Sequence, residues 1–559
     1  MVLGVSFGWY AKTHVYVCRL VGPAECGARV DVGWRTEYVK ESSILSPEND
    51  LEGHVLGINF DDADGISNQF REASSLACAA RKQVKIIDDI PCELAVMQAC
   101  LGVCKVNHLL RAAGLYVGRS ALHEHDVQMQ DSLSDMIGCQ ISALSMTQAS
   151  CGVRNGGLGM RRAIDLALPA FIASRNESRS AVTRLIHELF NDDIGDLCVR
   201  KFDDGLQEAI CKLKGQVNPG HATEVDTCLI EARECQQRND RFRPVARGDH
   251  LIAPAACVDS EEIGTLQGAL SAIVDRDVLD KLCTIYSEQN SQYDVNRLTE
   301  LCDDSTSHDW VCCINSVHSP VIEPKLFLIA LKLRIGAPFF SEPFECPRCR
   351  LKDMDCNGFH ALCCAKGEST KGHYRVCDCV LELTHLADPS AETEVLNLFP
   401  DAPTLRPADI FTTAALPGRM AALDIGICSP DASGAGIDCC DTMHDKKIDK
   451  YRDHLVGRDF IYCPLVFSCY GRVHPECMSI LRCIAQGAAR RRGILDFRGL
   501  LSRLHRNIGV AIWRRAAAMV HNCTPTLNDS HRNLLDGSEF RGIDLMHGVD
   551  AARVVRHSV

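Results

Sequence analysis

The sequence contains no run of 18 or more apolar residues, so no segment reads as a membrane-spanning helix. Its start, MVLGVSFGWYAKTH, has no basic stretch ahead of an apolar core and no small-residue cleavage site, which speaks against an export signal. No G-x-S-x-G elbow supports a serine hydrolase, and no G-x-x-x-x-G-K-[ST] loop offers a phosphate cradle. Gly156, Gly157 and Gly159 do not follow a strand pattern, so a nucleotide site is not expected there. Internal repeats and low-complexity tracts are absent. Positive charge is in deficit as well: Lys+Arg 60 against Asp+Glu 73 gives a net −13, which excludes a uniformly basic nucleic-acid binder.

What is present is an ordinary globular balance, 24% charged and 46% hydrophobic, over 559 residues. That length suggests roughly two to four domains. The anomaly is 32 cysteines. A disulfide scaffold of this size without an export signal is disfavoured. The alternative is a reduced intracellular chain in which most cysteines are small buried hydrophobes and a minority bind metal. Position along the chain distinguishes the two uses.

Within Glu93–Gly114 the apolar residues recur at three- and four-residue steps, which predicts one amphipathic helix, with His108 on it as a core histidine. Met160–Ser174 reads as helical, with a kink or break at Pro169. Gln216–Ser260 is polar and reads as a loop or linker, and Glu262–Leu301 returns to a helical pattern. Ala421–Cys428 and Phe460–Ser468 are short, apolar and flanked by turn residues, as buried strands are. From Glu476 to about Val520 the pattern is helical, with Leu501, Leu504, Ile508 and Ile512 in one stripe.

Charge is uneven. Between Lys446 and Arg515 there are 15 Lys/Arg and 5 Asp/Glu, a local net of +10 inside an acidic chain. Such a region suits a phosphate backbone, and equally a solvated arginine face. Arg490, Arg491 and Arg492 are candidate phosphate contacts within it.

Cysteine clusters once. Seven fall in the 34 residues from Cys346 to Cys379, where the chain average gives about two. Cys346 and Cys349 form a CxxC pair, His360 follows after ten residues, and Cys363 and Cys364 come next. Cys346, Cys349, His360 and Cys364 make C-x2-C-x10-H-x3-C, an allowed structural zinc set, with Cys363 open as an alternative fourth ligand. Bound metal would help fold a segment too short to build its own core.

Downstream, Asp409 stands in Arg406-Pro-Ala-Asp-Ile410, and Asp424 sits inside the apolar run Ala421–Ile427. A carboxylate in a buried strand is costly unless paired or bound to a cation. Two such carboxylates can hold Mg²⁺ and let it activate a water against a phosphodiester. Lys446, Lys447 and Lys450 are the nearby amines on a short helix.

The order of these elements, CPRC, FHALCC, KGHYRV, RPADIF, AALDIGICSP, KKIDKY and YCPLVFSCYG, resembles the C-terminal part of non-LTR retrotransposon proteins that carry a restriction-enzyme-like endonuclease. The resemblance implies a Mg²⁺-dependent nuclease with Asp409 and Asp424 as metal ligands. It also implies a nucleic-acid-binding role for His373. The lysine usual two residues after the second acid is replaced by Gly426, so the resemblance moves that role to Lys447 or Lys450. Upstream, residues 54–70, 96–114 and 155–174 look like the post-palm and thumb region of the reverse transcriptases of these elements. Phe60, Asp61 and Asp62 do not form the polymerase aspartate pair, because the spacer after the aromatic is missing, and polymerase activity is not expected.

The expected architecture is mixed α/β, with a helical thumb-like N-terminal half ahead of a small zinc knuckle and a mixed sheet flanked by helices, restriction-endonuclease-like. Expected units are 1–175 (reverse-transcriptase remnant), 176–340 (helical), 341–380 (Cys/His knuckle), 381–520 (nuclease-like) and 521–559 (tail). Expected cofactors are structural Zn²⁺ and catalytic Mg²⁺, and expected partners are DNA and RNA, in the nucleus. The competing expectation is a non-catalytic nucleic-acid-binding remnant.

Overall fold

A computed structural model describes residues 54–55, 58–59, 63–189, 192–237, 265–313, 321–364 and 369–523. Phe60, Asp61 and Asp62 lie outside the described residues, as does the tail from 524. The chain is mixed α/β with a helical N-terminal half. Helices α1 (Ala63–Val84), α2 (Ile90–Val96), α3 (Asn107–Ala113), α4 (Arg119–Ile137), α5 (Ala143–Ser150), α6 (Ala163–Leu189), α7 (Asp192–Gln216), α8 (Pro219–Gln237), α9 (Leu266–Glu288), α10 (Gln292–Leu301) and α11 (Pro324–Ile335) build it, with a two-residue hairpin, β1 (His54–Val55) and β2 (Ile58–Asn59), ahead of them. No helix among the described residues is long and apolar enough to cross a membrane.

Four expectations for this half are corrected. The expected helix over Glu93–Gly114 is broken into α2 and α3 by a π-helical turn at Met97–Leu101 and a 3-10 turn at Val103–Lys105. Gly102 allows this: a Cβ there would meet the carbonyl oxygen of Met97 at 2.8 Å. His108 is exposed rather than in the core. Pro169 does not end α6, since it falls in the second turn, where only a small part of the hydrogen-bond ladder precedes it. The expected linker at Gln216–Ser260 begins with α8, whose Val225, Leu229 and Ala232 are buried against α6, α7 and α9.

The C-terminal half opens on a hairpin, β3 (Phe344–Glu345) and β4 (Asp353–Met354), followed by the short α12 (Phe359–Cys363) and by α13 (Ser369–Ala387). Strands β5 (Glu392–Thr393), β6 (Ile410–Leu416), β7 (Arg419–Cys428) and β8 (Phe460–Ser468) form one sheet in the order β5-β6-β7-β8. The first two pairings are antiparallel and β7 with β8 is parallel, so the sheet is mixed. The crossover between β7 and β8 is α14 (Cys439–Leu455), and α15 (Pro475–Arg492) and α16 (Arg498–Asn522) follow.

Side chains alternate strictly along β7. Ala421, Leu423 and Ile425 join Val376, Val380, Leu481, Ile484, Leu504 and Ile508 in the core that α13, α15 and α16 cover. Ala422, Asp424, Gly426 and Cys428 form the other row, under α14. α13 crosses position 380, and its buried face belongs to the sheet. The expected boundary at 340/341 cuts a shared core: Trp310 stacks on Trp513 of α16 with ring centroids 4.6 Å apart, and one apolar cluster joins Leu94, Leu133 and Phe327 to Cys346, Tyr470 and Trp513.

Candidate functional site

The CxxC segment turns tightly after β3. The Cys346 N–H donates to Lys352 O and the Arg350 N–H to Cys346 O, with Arg350 at φ +54°. Asp355 accepts from the backbone N–H groups of Phe359 and His360, which starts α12 and aims the His360 ring back at the turn. The ligand atoms of Cys346, Cys349, His360 and Cys364 lie within 4.8 Å of one another. Cys346 and Cys364 sulfurs are 3.8 Å apart, and Cys349 Sγ is 3.3 Å from His360 Nε2. Backbone N–H donors of the turn, that of Leu351 foremost, pull the Cys349 thiol down to about 6. Burial and the neighbouring thiols push Cys364 up to about 12, so an ion would have to displace its proton. These four residues could hold an ion such as zinc. Cys363, the alternative fourth ligand, points elsewhere, its sulfur 3.4 Å from Ser429 Oγ.

The acid pair is made by strand register. Ile410 pairs with Leu423 at the start of β6, which brings Asp409, the residue just before the strand, against the Leu423–Ile425 stretch of β7 that carries Asp424. Asp409 stays in the ladder: its N–H donates to Leu423 O, and its Oδ2 accepts from the Ile425 N–H at 2.7 Å. Its other oxygen, Oδ1, is 3.2 Å from His373 Nε2 on α13, and Cys377, one turn on, is 3.4 Å from the same nitrogen. Ligand atoms of His373, Cys377 and Asp409 also lie within 4.8 Å of one another. Burial, then the Asp409 carboxylate, push the Cys377 thiol well above its ordinary value. Asp424 receives Lys447 Nζ at 2.6 Å on Oδ1 and the Tyr462 hydroxyl on Oδ2. Burial, then Asp424, hold the Tyr462 phenol protonated far above its usual range.

Helix phase determines which lysine meets Asp424. Cys440, Met443, Lys447 and Tyr451 share the α14 face laid along the row Cys428, Gly426, Asp424, Ala422. A Cβ at Gly426 would meet Lys447 Cε at 2.6 Å, so the absent side chain is the space the lysine occupies. Lys450 is a turn away from that face, its Nζ over the Tyr451 ring at 4.6 Å, and Lys446 donates to Gly434 O.

The basic region does not present its charge uniformly. Arg452, Arg458, Arg472 and Arg514 are paired with Asp449, Asp401, Asp438 and Glu323. Arg490, Arg491 and Arg492 are exposed at the C-terminal end of α15, where cations favour the helix dipole. Arg491 reaches Ala387 O, at the far end of α13 from His373, roughly 20 Å away along the helix. A separate basic surface is a cavity of about 170 Å³ between the start of α13 and α16, lined by Lys371, Arg375, Arg514 and Arg515. Arg515 lies across Gly372, where a Cβ would overlap its Cδ, and so crosses α13 one residue before His373. The Arg514-Arg515 pair and the KGHYR string carried that signal. Tyr462 gave none beyond its place in an apolar strand.

The chain matches no protein-family model and no curated protein.

Proposed function

We propose that this chain is the C-terminal part of a retroelement protein and acts as a metal-dependent DNA endonuclease with a restriction-endonuclease-like sheet. The observation that carries the reading is that Asp409 is bonded to β7 at Ile425, the residue after Asp424, while Lys447 is bonded to Asp424 itself. Each carboxylate oxygen has lone pairs beyond its present partner, so the pair can still take a hard cation such as Mg²⁺ between them. When bound, that ion supplies Lewis acidity toward a phosphoryl oxygen and a more acidic water.

The protein's own groups do the rest. Lys447, held at 2.6 Å from Asp424, orients the attacking water or neutralises charge on the pentacovalent phosphate. Water gives up a proton to solvent as it adds to phosphorus, the bond to the leaving oxygen breaks, and that oxygen takes up a proton in turn, so one water is consumed per bond cut. His373 fixes the Asp409 carboxylate, and Tyr462 fixes that of Asp424. Lys371, Arg375 and Arg515 offer a seat for the phosphodiester backbone beside His373, and the zinc-knuckle residues brace α12 near it.

A second reading, a nucleic-acid binder without chemistry, draws on the fact that all four oxygens of the acid pair already have protein partners. Nicking of supercoiled plasmid in Mg²⁺, comparing the native chain with Asp424→Ala, separates the two. The endonuclease reading expects nicking that the variant loses. Equal conversion by both proteins overturns it.

A further inference from the structure

A second cluster of metal-binding character lies outside the acid pair and the knuckle. Cys428 ends the β7 row, and Cys439 and Cys440 open α14; their sulfurs lie within 4.8 Å of one another. Cys428 Sγ is 3.5 Å from Cys439 Sγ and 3.7 Å from Cys440 Sγ. A tetrahedral zinc with Zn–S bonds of ~2.3 Å places its sulfurs ~3.8 Å apart, so these edges suit one ion. They are far longer than a disulfide bond, and three thiols cannot all be satisfied by pairing. All three are buried.

The surroundings compensate thiolate charge. Arg472 places its guanidinium 3.8 Å from Cys439 Sγ while chelating both oxygens of Asp438 and bonding Glu300 at 3.0 Å. Asp438 in turn caps α14 by accepting from the Cys440 and Asp441 N–H groups. Cys439 Sγ also donates to Glu300 Oε1 at 3.7 Å, and the Glu300 carboxylate is in turn held by Arg472. A cavity of about 220 Å³, lined by Cys428, Cys439, Ser429 and Thr442 among others, opens beside the sulfurs. It gives room for a water as fourth ligand.

We propose that Cys428, Cys439 and Cys440 form a second zinc site, with three thiolates and a water from the adjoining cavity, that staples the start of α14 to the end of β7. Cys440 and Lys447 are two turns apart on one helix, and Cys428 and Asp424 are four residues apart on one strand. The staple therefore fixes the register in which Lys447 meets Asp424. The site does not depend on the acid pair being a nuclease, since it would bind zinc in a binding protein equally.

The test uses the full chain, loaded with zinc, freed of excess metal and weighed by native mass spectrometry. The native chain should carry two zinc ions. Cys346→Ser should retain one, and Cys428→Ala with Cys440→Ala should retain one. In the native chain, zinc loading should slow amide exchange over 439–455 at least tenfold. A native chain with one zinc, lost in Cys346→Ser, overturns the proposal, and so does an unchanged count in the double variant. If the double variant does not fold, the native and Cys346→Ser counts decide. Cadmium in place of zinc gives an independent readout, as a thiolate charge-transfer band must persist in Cys346→Ser.

Discussion

Lys447 reaches Asp424 through the space that Gly426 leaves empty. The glycine lies two residues beyond the acid on β7, and a Cβ there would come within 2.6 Å of the lysine's Cε. The amine that meets Asp424 thus comes from the helix above and not from the strand itself. Gly426→Ala should therefore push Lys447 off Asp424 without unfolding the sheet. Plasmid nicking should fall ~10²-fold or more, as for Lys447→Ala, since a positioned group that stabilises developing charge is worth about that much. Lys450→Ala should remain near native. Loss of activity in Lys450→Ala with retention in Lys447→Ala would reverse the assignment.

Zinc at the knuckle should discriminate neighbouring cysteines. Cys364→Ser should lose that ion, because its sulfur lies 3.8 Å from Cys346, whereas Cys363→Ser should keep it. Zinc counting on the two variants checks this.

The stability of the N-terminal half should depend on pH through Asp126. Its carboxylate accepts from the Ala163 and Ile164 N–H groups at the start of α6, yet burial raises its pKa from 3.8 to about 7. The folded state then holds a proton that the unfolded state releases. Its stabilisation is complete below about pH 4 and is lost as pH rises through 7, by on the order of 1 kcal/mol per pH unit. Stability plotted against pH should differ in slope between the native chain and Asp126→Asn only between about pH 4 and 7, and parallel plots throughout would contradict it.

Trp513 should be a principal support of the shared core. It is fully buried, stacked on Trp310 and edge-on to Tyr470. Trp513→Ala should cost ~3–5 kcal/mol. Trp513→Phe should cost less, because the indole N–H has no hydrogen-bond partner to lose among the described residues. Denaturant melts give both values.

The legible parts of the sequence were those with local signals. β8 follows the boundaries its apolar run predicts and β7 extends that run by two residues, while the CxxC spacing marks four residues that come together. Asp424 was conspicuous because an acid in a buried strand needs a partner. The missed features are relational. Lys447 rather than Lys450 follows from the phase of α14 against β7, and Tyr462 from the register of β8 beside it. Cys428 and Cys439 are eleven residues apart with no regular spacing, and only the crossover brings them together. The polar surface of α8 hid a buried face of Val225, Leu229 and Ala232, which tertiary packing supplied with partners.

The stacked pair Trp310 and Trp513 also bears on how such a gene could change. The segment 341–520 has its own sheet and the acid pair, and it looks transferable. Moved alone into another gene it would carry the bare faces of Trp513, Tyr470 and Val510, which the helical half now covers. Arg472 would also lose Glu300. Such a graft would begin life sticky and underpaired, and only a breakpoint that keeps both halves together preserves this core.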